Sequence, residues 1–288
     1  MQLIVFSKLL KDHSIPELID LAHAHGFDGY DLCVRPGYPV SPEDAALTLP
    51  TAVRQLAAAG LSVPLVTGPT SLTDPRQPEA ENLLATLADA GVPRMKLGYF
   101  RFEPSRPYQE QVDSARRTLE NWEILGRIYG VQLCYHTHSG NFLGLNAAAL
   151  MHLLLHRDPA HIGAYLDPGH FAVNGEPFAL GLSMAAGYVS LFSFKDVLVE
   201  RVQANSHGTG KVHWVPAGEG VVDWTGVFAE VKRTGFDGPV SIHCEFEVPA
   251  DEWMETFGRE IAFFKKMERK LNRQKRTRID TGFLDFHG

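Results

Sequence analysis

Six nitrogen and oxygen donors, His136, His138, Asp167, His170, His243 and Glu245, fall at or just after β-rich runs of the chain. Imidazole and carboxylate with almost no thiolate suit Mn²⁺, Co²⁺, Zn²⁺ or Mg²⁺ at a reactive centre better than a structural zinc clip. The donors are spread over three runs, and no compact motif such as His-Glu-x-x-His is present. Two lysines join them. Lys96 and Lys195 could polarise a carbonyl, bind phosphate or, if desolvated, act as amine nucleophiles. The segment Phe6-Ser7-Lys8-Leu9-Leu10-Lys11 has no glycine-rich phosphate cradle, which argues against a nicotinamide enzyme.

Such residues need a scaffold that gathers them. β-rich runs occur at 3–6, 29–33, 62–66, 94–98, 131–136, 162–167, 188–194 and 239–244. Helical apolar spacing lies between them, at 15–25, 43–59, 79–90, 108–129, 146–156, 176–186, 224–234 and 251–271. Ser14-Ile15-Pro16-Glu17 reads as a capped helix start, and glycines such as Gly26, Gly60 and Gly130 punctuate helix ends. Eight strand–helix units without a linker predict a single-domain α/β fold, a (β/α)₈ TIM barrel over residues 1–272, followed by a basic tail at 273–288. The longest irregular stretch, roughly 198–221, follows the seventh run and is placed to cover a substrate.

Strand parity sharpens this picture, because alternate side chains of a barrel strand face the interior. In Ser241-Ile242-His243-Cys244-Glu245, Ile242 and Cys244 should meet the helices while Ser241, His243 and Glu245 point inward. The same count places Asp31, Lys96, His136, His138, Asp167, Ser193 and Lys195 inside. Buried singly and unpaired, such groups would each cost several kcal/mol. A wet, functional mouth at the strands' C-terminal ends resolves the conflict.

Composition bounds the partners. The 288 residues are 44% hydrophobic and 21% charged, with a net charge of −7, which is ordinary globular composition and disfavours a nucleic-acid partner. The charge is uneven: residues 265–278 hold eight basic side chains against Glu268 alone, expected to be a solvated helix end and tail. Apolar runs are far shorter than the roughly 20 residues of a membrane span, and Met1–Phe6 lacks the marks of a secretory leader. Cys33, Cys134 and Cys244 sit in apolar runs and are expected to be buried, reduced thiols of a cytoplasmic protein.

At these residues the chain resembles the sugar phosphate isomerase/epimerase family. These xylose isomerase-like TIM barrels also include inosose dehydratases and one class of AP endonucleases. The resemblance is carried by Gly26-Phe27-Asp28-Gly29-Tyr30-Asp31-Leu32, Tyr135-His136-Thr137-His138-Ser139-Gly140, Leu166-Asp167-Pro168-Gly169-His170, Phe194-Lys195-Asp196-Val197, Gly218-Glu219-Gly220-Val221-Val222-Asp223-Trp224 and Gly238-Pro239-Val240-Ser241-Ile242-His243-Cys244-Glu245. It implies a divalent metal held by a Glu, an Asp, a His and a Glu after strands five to eight. Asp167 and Glu245 match, His136 stands in place of the first Glu, and Ser193 in place of the His. A serine hydroxyl is a poor ligand. The metal (Mn²⁺, Co²⁺, Zn²⁺ or Mg²⁺) is therefore expected on His136, Asp167 and Glu245, weakly bound or absent, unless His170, His243, His207 or His213 substitutes.

The resemblance implies metal-assisted proton transfer next to a carbonyl of a small sugar, keto-sugar or polyol-derived substrate. Glu245, His136 and His243 are the expected catalytic groups. His138, His170, Lys195 and Lys96 are the expected substrate contacts. The alternatives are an inosose dehydratase-like lyase and a degenerate sugar-binding barrel. AP endonuclease activity is disfavoured by the scarcity of ligands and the acidic body. A homodimer is compatible with the exposed barrel helices.

Overall fold

The computed structural model describes residues 1–281, with side chains as far as Lys270. The chain alternates strand and helix from the start: β1 (Gln2–Phe6), α1 (Ile15–His25), β2 (Gly29–Cys33), α2 (Ala45–Ala58), β3 (Ser62–Thr67), α3 (Pro78–Asp89) and β4 (Arg94–Lys96). It continues with α4 (Tyr108–Tyr129), β5 (Gln132–His136), α5 (Ala147–Leu154), β6 (Ile162–Leu166), α6 (Pro168–Val173), α7 (Phe178–Ala185) and β7 (Val189–Phe194). A hairpin of β8 (Asp196–Ala204) and β9 (His207–Val215) precedes α8 (Trp224–Arg233), β10 (Pro239–Ile242) and α9 (Trp253–Thr281). β1 to β7 and β10 close into a barrel with β10 between β7 and β1, the hairpin standing outside it. Every barrel pairing is parallel. The predicted (β/α)₈ barrel is the observed fold.

Local sequence explains the joints. Ser14 and Glu17 form the reciprocal cap of α1, satisfying backbone donors that the first turn leaves open. Gly26 ends that helix at φ 65°, where a side chain would strain the backbone. The main core lies between strands and helices. Phe194 of β7, Trp224 and Phe228 of α8, and Phe264 of α9 pack there with ring centroids 4.8–6.4 Å apart, each burying enough apolar surface to contribute roughly 1.5–3 kcal/mol. A smaller plug fills the barrel itself, made of Leu65, Cys134, Tyr165 and Leu191. All three cysteines are buried and free, as expected.

Two expectations change. The stretch predicted as irregular over 198–221 is mostly the β8–β9 hairpin, paired from Asp196–Val215 to Ala204–His207. Its polar residues and glycines hide the period-two pattern, and Asn205 at φ 51° supplies the turn. The supposed tail at 273–288 begins inside α9, which runs to Thr281; residues 282–288 lie outside the described residues. No helix among the described residues is long and apolar enough to cross a membrane.

Candidate active site

The C-terminal ends of β1, β4, β5, β7 and β10 surround a cavity of about 150 Å³. Its wall holds Lys96, His136, His138, Lys195, His243 and Glu245, six of the residues singled out from sequence. Asp167 and His170 are fully buried behind it. Parity sends Lys96, His136, His138, Asp167, Lys195, His243 and Glu245 inward, because the strand pleat dictates which face each residue takes, and each is found at or behind this cavity.

Lys195 is the electrostatic centre. Its Nζ donates to Glu245 Oε2 at 3.1 Å, lies 3.6 Å from Asp167 Oδ2, and sits 4.3 Å from the ring centre of Trp214 on β9. The second oxygen of Glu245 pairs with Lys8, just after β1. Burial is the largest influence on both acids and opposes their ionisation, yet Lys195 together with the neighbouring histidines, the Ser193 hydroxyl at Asp167 and Lys8 at Glu245 outweighs it and holds Asp167 below, and Glu245 well below, the usual carboxylate range. Burial also works against the Lys195 ammonium, but Glu245 and Asp167 raise its pKa above the ordinary lysine value.

Two hydrogen-bonded chains fix the imidazoles. Ser193 donates to Asp167 Oδ2 at 2.6 Å. Its oxygen therefore accepts from His136 Nε2 at 2.8 Å, and His136 Nδ1 accepts from the Tyr99 hydroxyl at 2.9 Å. Burial, and then the nearby Lys96, keep His136 neutral. Both its nitrogens are engaged. In the second chain Tyr165 donates to Asp31 Oδ2 at 3.1 Å and meets His243 Nε2 at 2.9 Å. His243 is stacked on Phe6, with ring centroids 4.4 Å apart. Its Nδ1 is buried without a hydrogen-bond partner and lies 3.5 Å from Glu245 Oε2. With Nε2 donating to the tyrosine oxygen, the free lone pair is on Nδ1. The same Asp31 accepts from Thr67 at 2.6 Å and Ser241 at 3.3 Å, so neither of its oxygens is idle.

His138 and His170 lie against each other, ring centroids 4.2 Å apart. His138 faces the cavity, and burial followed by Lys195 pushes its pKa down to about 4. His170 Nδ1 accepts from the Ser139 hydroxyl and backbone, and its ring edge meets Trp214. It is not part of the cavity wall. Asp167 caps α6 through the Gly169 and His170 amides. A Cβ at position 169 would fall 2.6 Å from the Lys195 carbonyl oxygen, so glycine lets this turn approach the site.

The sequence profile of the xylose isomerase-like TIM barrel family matches residues 19–267. The chain belongs to that family. Its solved structural relatives include 3-keto-D-glucoside 4-epimerase YcjR from E. coli, at TM-score 0.71 and 15% identity, with 92% of this chain and 99% of that chain covered. L-ribulose 3-epimerase aligns at TM-score 0.72 and 14% identity over 96% of this chain and 98% of that one. The IolI protein with a bound zinc atom aligns at 0.72 and 16% over 94% and 98%. At such identities the likeness is one of fold. No curated protein is matched.

The metal that the family resemblance implies can be tested against the donors present. Among the described residues no three His, Cys, Asp or Glu side chains are grouped as a metal shell would require. The reason is local. His136 has both nitrogens in hydrogen bonds, Asp167 Oδ2 takes the Ser193 proton, and an ammonium already lies between Asp167 and Glu245. Of the four substitutes considered for Ser193, His213 sits on the hairpin between Glu200 and Glu247 and His207 is exposed, while His170 Nδ1 is taken by Ser139 and His243 Nε2 by Tyr165. The expected set of His136, Asp167 and Glu245 does not fit a divalent ion.

Sequence reading missed Lys8, Arg35, Tyr99 and Trp214 at the site. Lys8 was accessible to the rule that residues just after barrel strands face the mouth. Tyr99 and Trp214 had no signal, since only the packing of a loop brings Tyr99 to the cavity wall and only the hairpin brings Trp214 against Lys195 and His170.

Proposed function

We propose that this chain catalyses an isomerisation or epimerisation, moving a proton next to the carbonyl of a small keto-sugar or sugar acid. The observation that carries this reading is the pairing, on one small cavity wall, of an open imidazole nitrogen with a fixed cation. His243 lines the cavity and its Nδ1 has no hydrogen-bond partner; in the tautomer whose Nε2–H meets Tyr165, Nδ1 carries the lone pair that a base for a carbon-bound proton requires. Lys195 faces the same space with one N–H held by Glu245. Its remaining hydrogens can donate to the carbonyl oxygen and then to the enediolate oxygen as negative charge develops there. Glu245, 3.5 Å from His243 Nδ1, is placed to take up or return the proton at the neighbouring position. In this reading the lysine ammonium supplies the positive charge at the reacting oxygen.

The test is NMR of α-proton exchange in D₂O with a panel of short ketoses and sugar acids, in EDTA. Exchange that vanishes in His243→Gln and survives chelation is the expected result. Products identify the reaction: an isomer or epimer supports the proposal, whereas loss of water marks a lyase. Binding without exchange marks a barrel that only holds its ligand. Saturable one-to-one Mn²⁺ binding by calorimetry, with activity restored by the metal after chelation, would return the metal-assisted mechanism. The buried reduced cysteines support a cytoplasmic setting.

A further inference from the structure

Four cationic side chains, Lys8, Arg35, Lys96 and Lys195, line the cavity, against a single carboxylate, Glu245. Two of the four are accounted for, because Lys8 and Lys195 each hold one oxygen of Glu245. Lys96 and Arg35 are not. Among the described residues neither has a carboxylate within 4.0 Å. Lys96 is 4% exposed, and its Nζ has only the Leu97 carbonyl oxygen at 3.3 Å and the face of Tyr99 at 4.0 Å. The nearby Asp31 is spent on Thr67, Tyr165 and Ser241. Arg35 is fixed by its Nε donating to the Gly68 carbonyl at 3.4 Å and by lying 5.8 Å over the Phe6 ring.

Buried cations are normally paired, since an unpaired charge loses hydration with nothing in return; Lys96 is buried and Arg35 beside it is half-buried. Two neighbouring cations on the wall of a cavity, without an anion of their own, are the arrangement that an anionic ligand completes. We propose that Lys96 and Arg35 bind a carboxylate of the substrate, which makes that substrate a short sugar acid or hydroxy-keto acid. This deepens the proton-transfer reading and rests on it for the chemistry, though not for the binding. Size points the same way. A volume of about 150 Å³ is half the low end of the usual ligand-pocket range of roughly 300–1,000 Å³. It suits a chain of a few carbons with the carboxylate at the β2–β4 side and the reacting carbonyl toward Lys195. The planar guanidinium matches a carboxylate in two-point geometry, and the ammonium adds a point charge beside it.

Calorimetry separates this inference from the catalytic one, because it needs no turnover. The probes are D-glycerate, glycerol as its uncharged counterpart on the same carbon skeleton, and inorganic phosphate. Glycerate is expected to bind wild-type protein at least about tenfold more tightly than glycerol, the scale of one charge-assisted hydrogen bond. Lys96→Gln and Arg35→Gln should each remove about tenfold or more of that preference, with glycerol binding unchanged. Circular dichroism confirms folding, and either variant alone suffices. Equal binding of glycerate and glycerol, absence of binding by both, or full retention of the preference in both variants would overturn the proposal. Phosphate binding more tightly than glycerate would overturn the carboxylate assignment. Absence of deuterium exchange alongside a clear glycerate preference would instead strike the proton-transfer reading and leave the anion site standing.

Discussion

On the β6–β10 side of the mouth, Lys195 has Glu245 at 3.1 Å and Asp167 at 3.6 Å. On the β2–β4 side, Lys96 is equally buried but has only a carbonyl oxygen and an aromatic ring. The two lysines share residue type and depth and differ in company. The difference shows in their acidity: burial and Arg35 push Lys96 down to about 7, whereas the two carboxylates more than offset burial at Lys195 and raise it. One side is electrostatically complete in the free protein. The other carries an imbalance that the fold tolerates and a ligand can relieve. Sites that bind or react are where such imbalances collect.

The sharpest way to break this comparison is to delete each ammonium in turn. Lys195→Met leaves Asp167 and Glu245 buried with one less counter-charge. It should cost about 3 kcal/mol in urea unfolding at pH 7, the low end for breaking a buried pair, since Lys8 remains on Glu245. Both acids have depressed pKa values in the folded protein. Their stabilising contribution is present above the ordinary carboxylate range and is lost as pH falls through those depressed values. The gap between wild type and variant should therefore narrow in acid.

Lys96→Gln should behave in the opposite way. It removes a buried cation without a carboxylate partner, so stability should hold or rise by up to about 1 kcal/mol. A loss comparable with that of Lys195→Met would mean that Lys96 is as well compensated as its counterpart, and the contrast would fail.

A smaller effect lies in pH. Lys96 is faced by Arg35, Asp31 and Cys33 from the β2 side, by Tyr99, and by Glu245 across the cavity. With a pKa of about 7, it is cationic below that value and neutral above it. Glycerate affinity should therefore fall by up to about tenfold between pH 6 and pH 9. Lys96→Arg, which stays charged, should flatten the profile; an unchanged slope would assign the titration to another group.

A further change is expected at Ser193, whose hydroxyl joins His136 to Asp167. Ser193→Ala should cost about 1–2 kcal/mol in unfolding, the range for a lost buried hydrogen bond. Failure to destabilise would indicate that His136 turns to Asp167 directly, 3.3 Å away.

The sequence by itself determined the barrel and the inward faces. Strand–helix alternation, helix caps and the period-two pleat are local, so Asp31, Lys96, His136, Ser193, Lys195, His243 and Glu245 could be placed inside without coordinates. Membership of the family was equally legible, because its segments keep their order along the chain. Tertiary structure alone decided what those side chains do to each other. Lys195 and Glu245 are 50 residues apart, and Tyr165 and Asp31 are 134 apart. Only the closed barrel sets which ammonium meets which carboxylate, which nitrogen of His243 is left open, and that Lys96 meets none. Hydrogen bonding and charge pairing act over a few ångströms in space, whereas sequence patterns report only which way each side chain sets out.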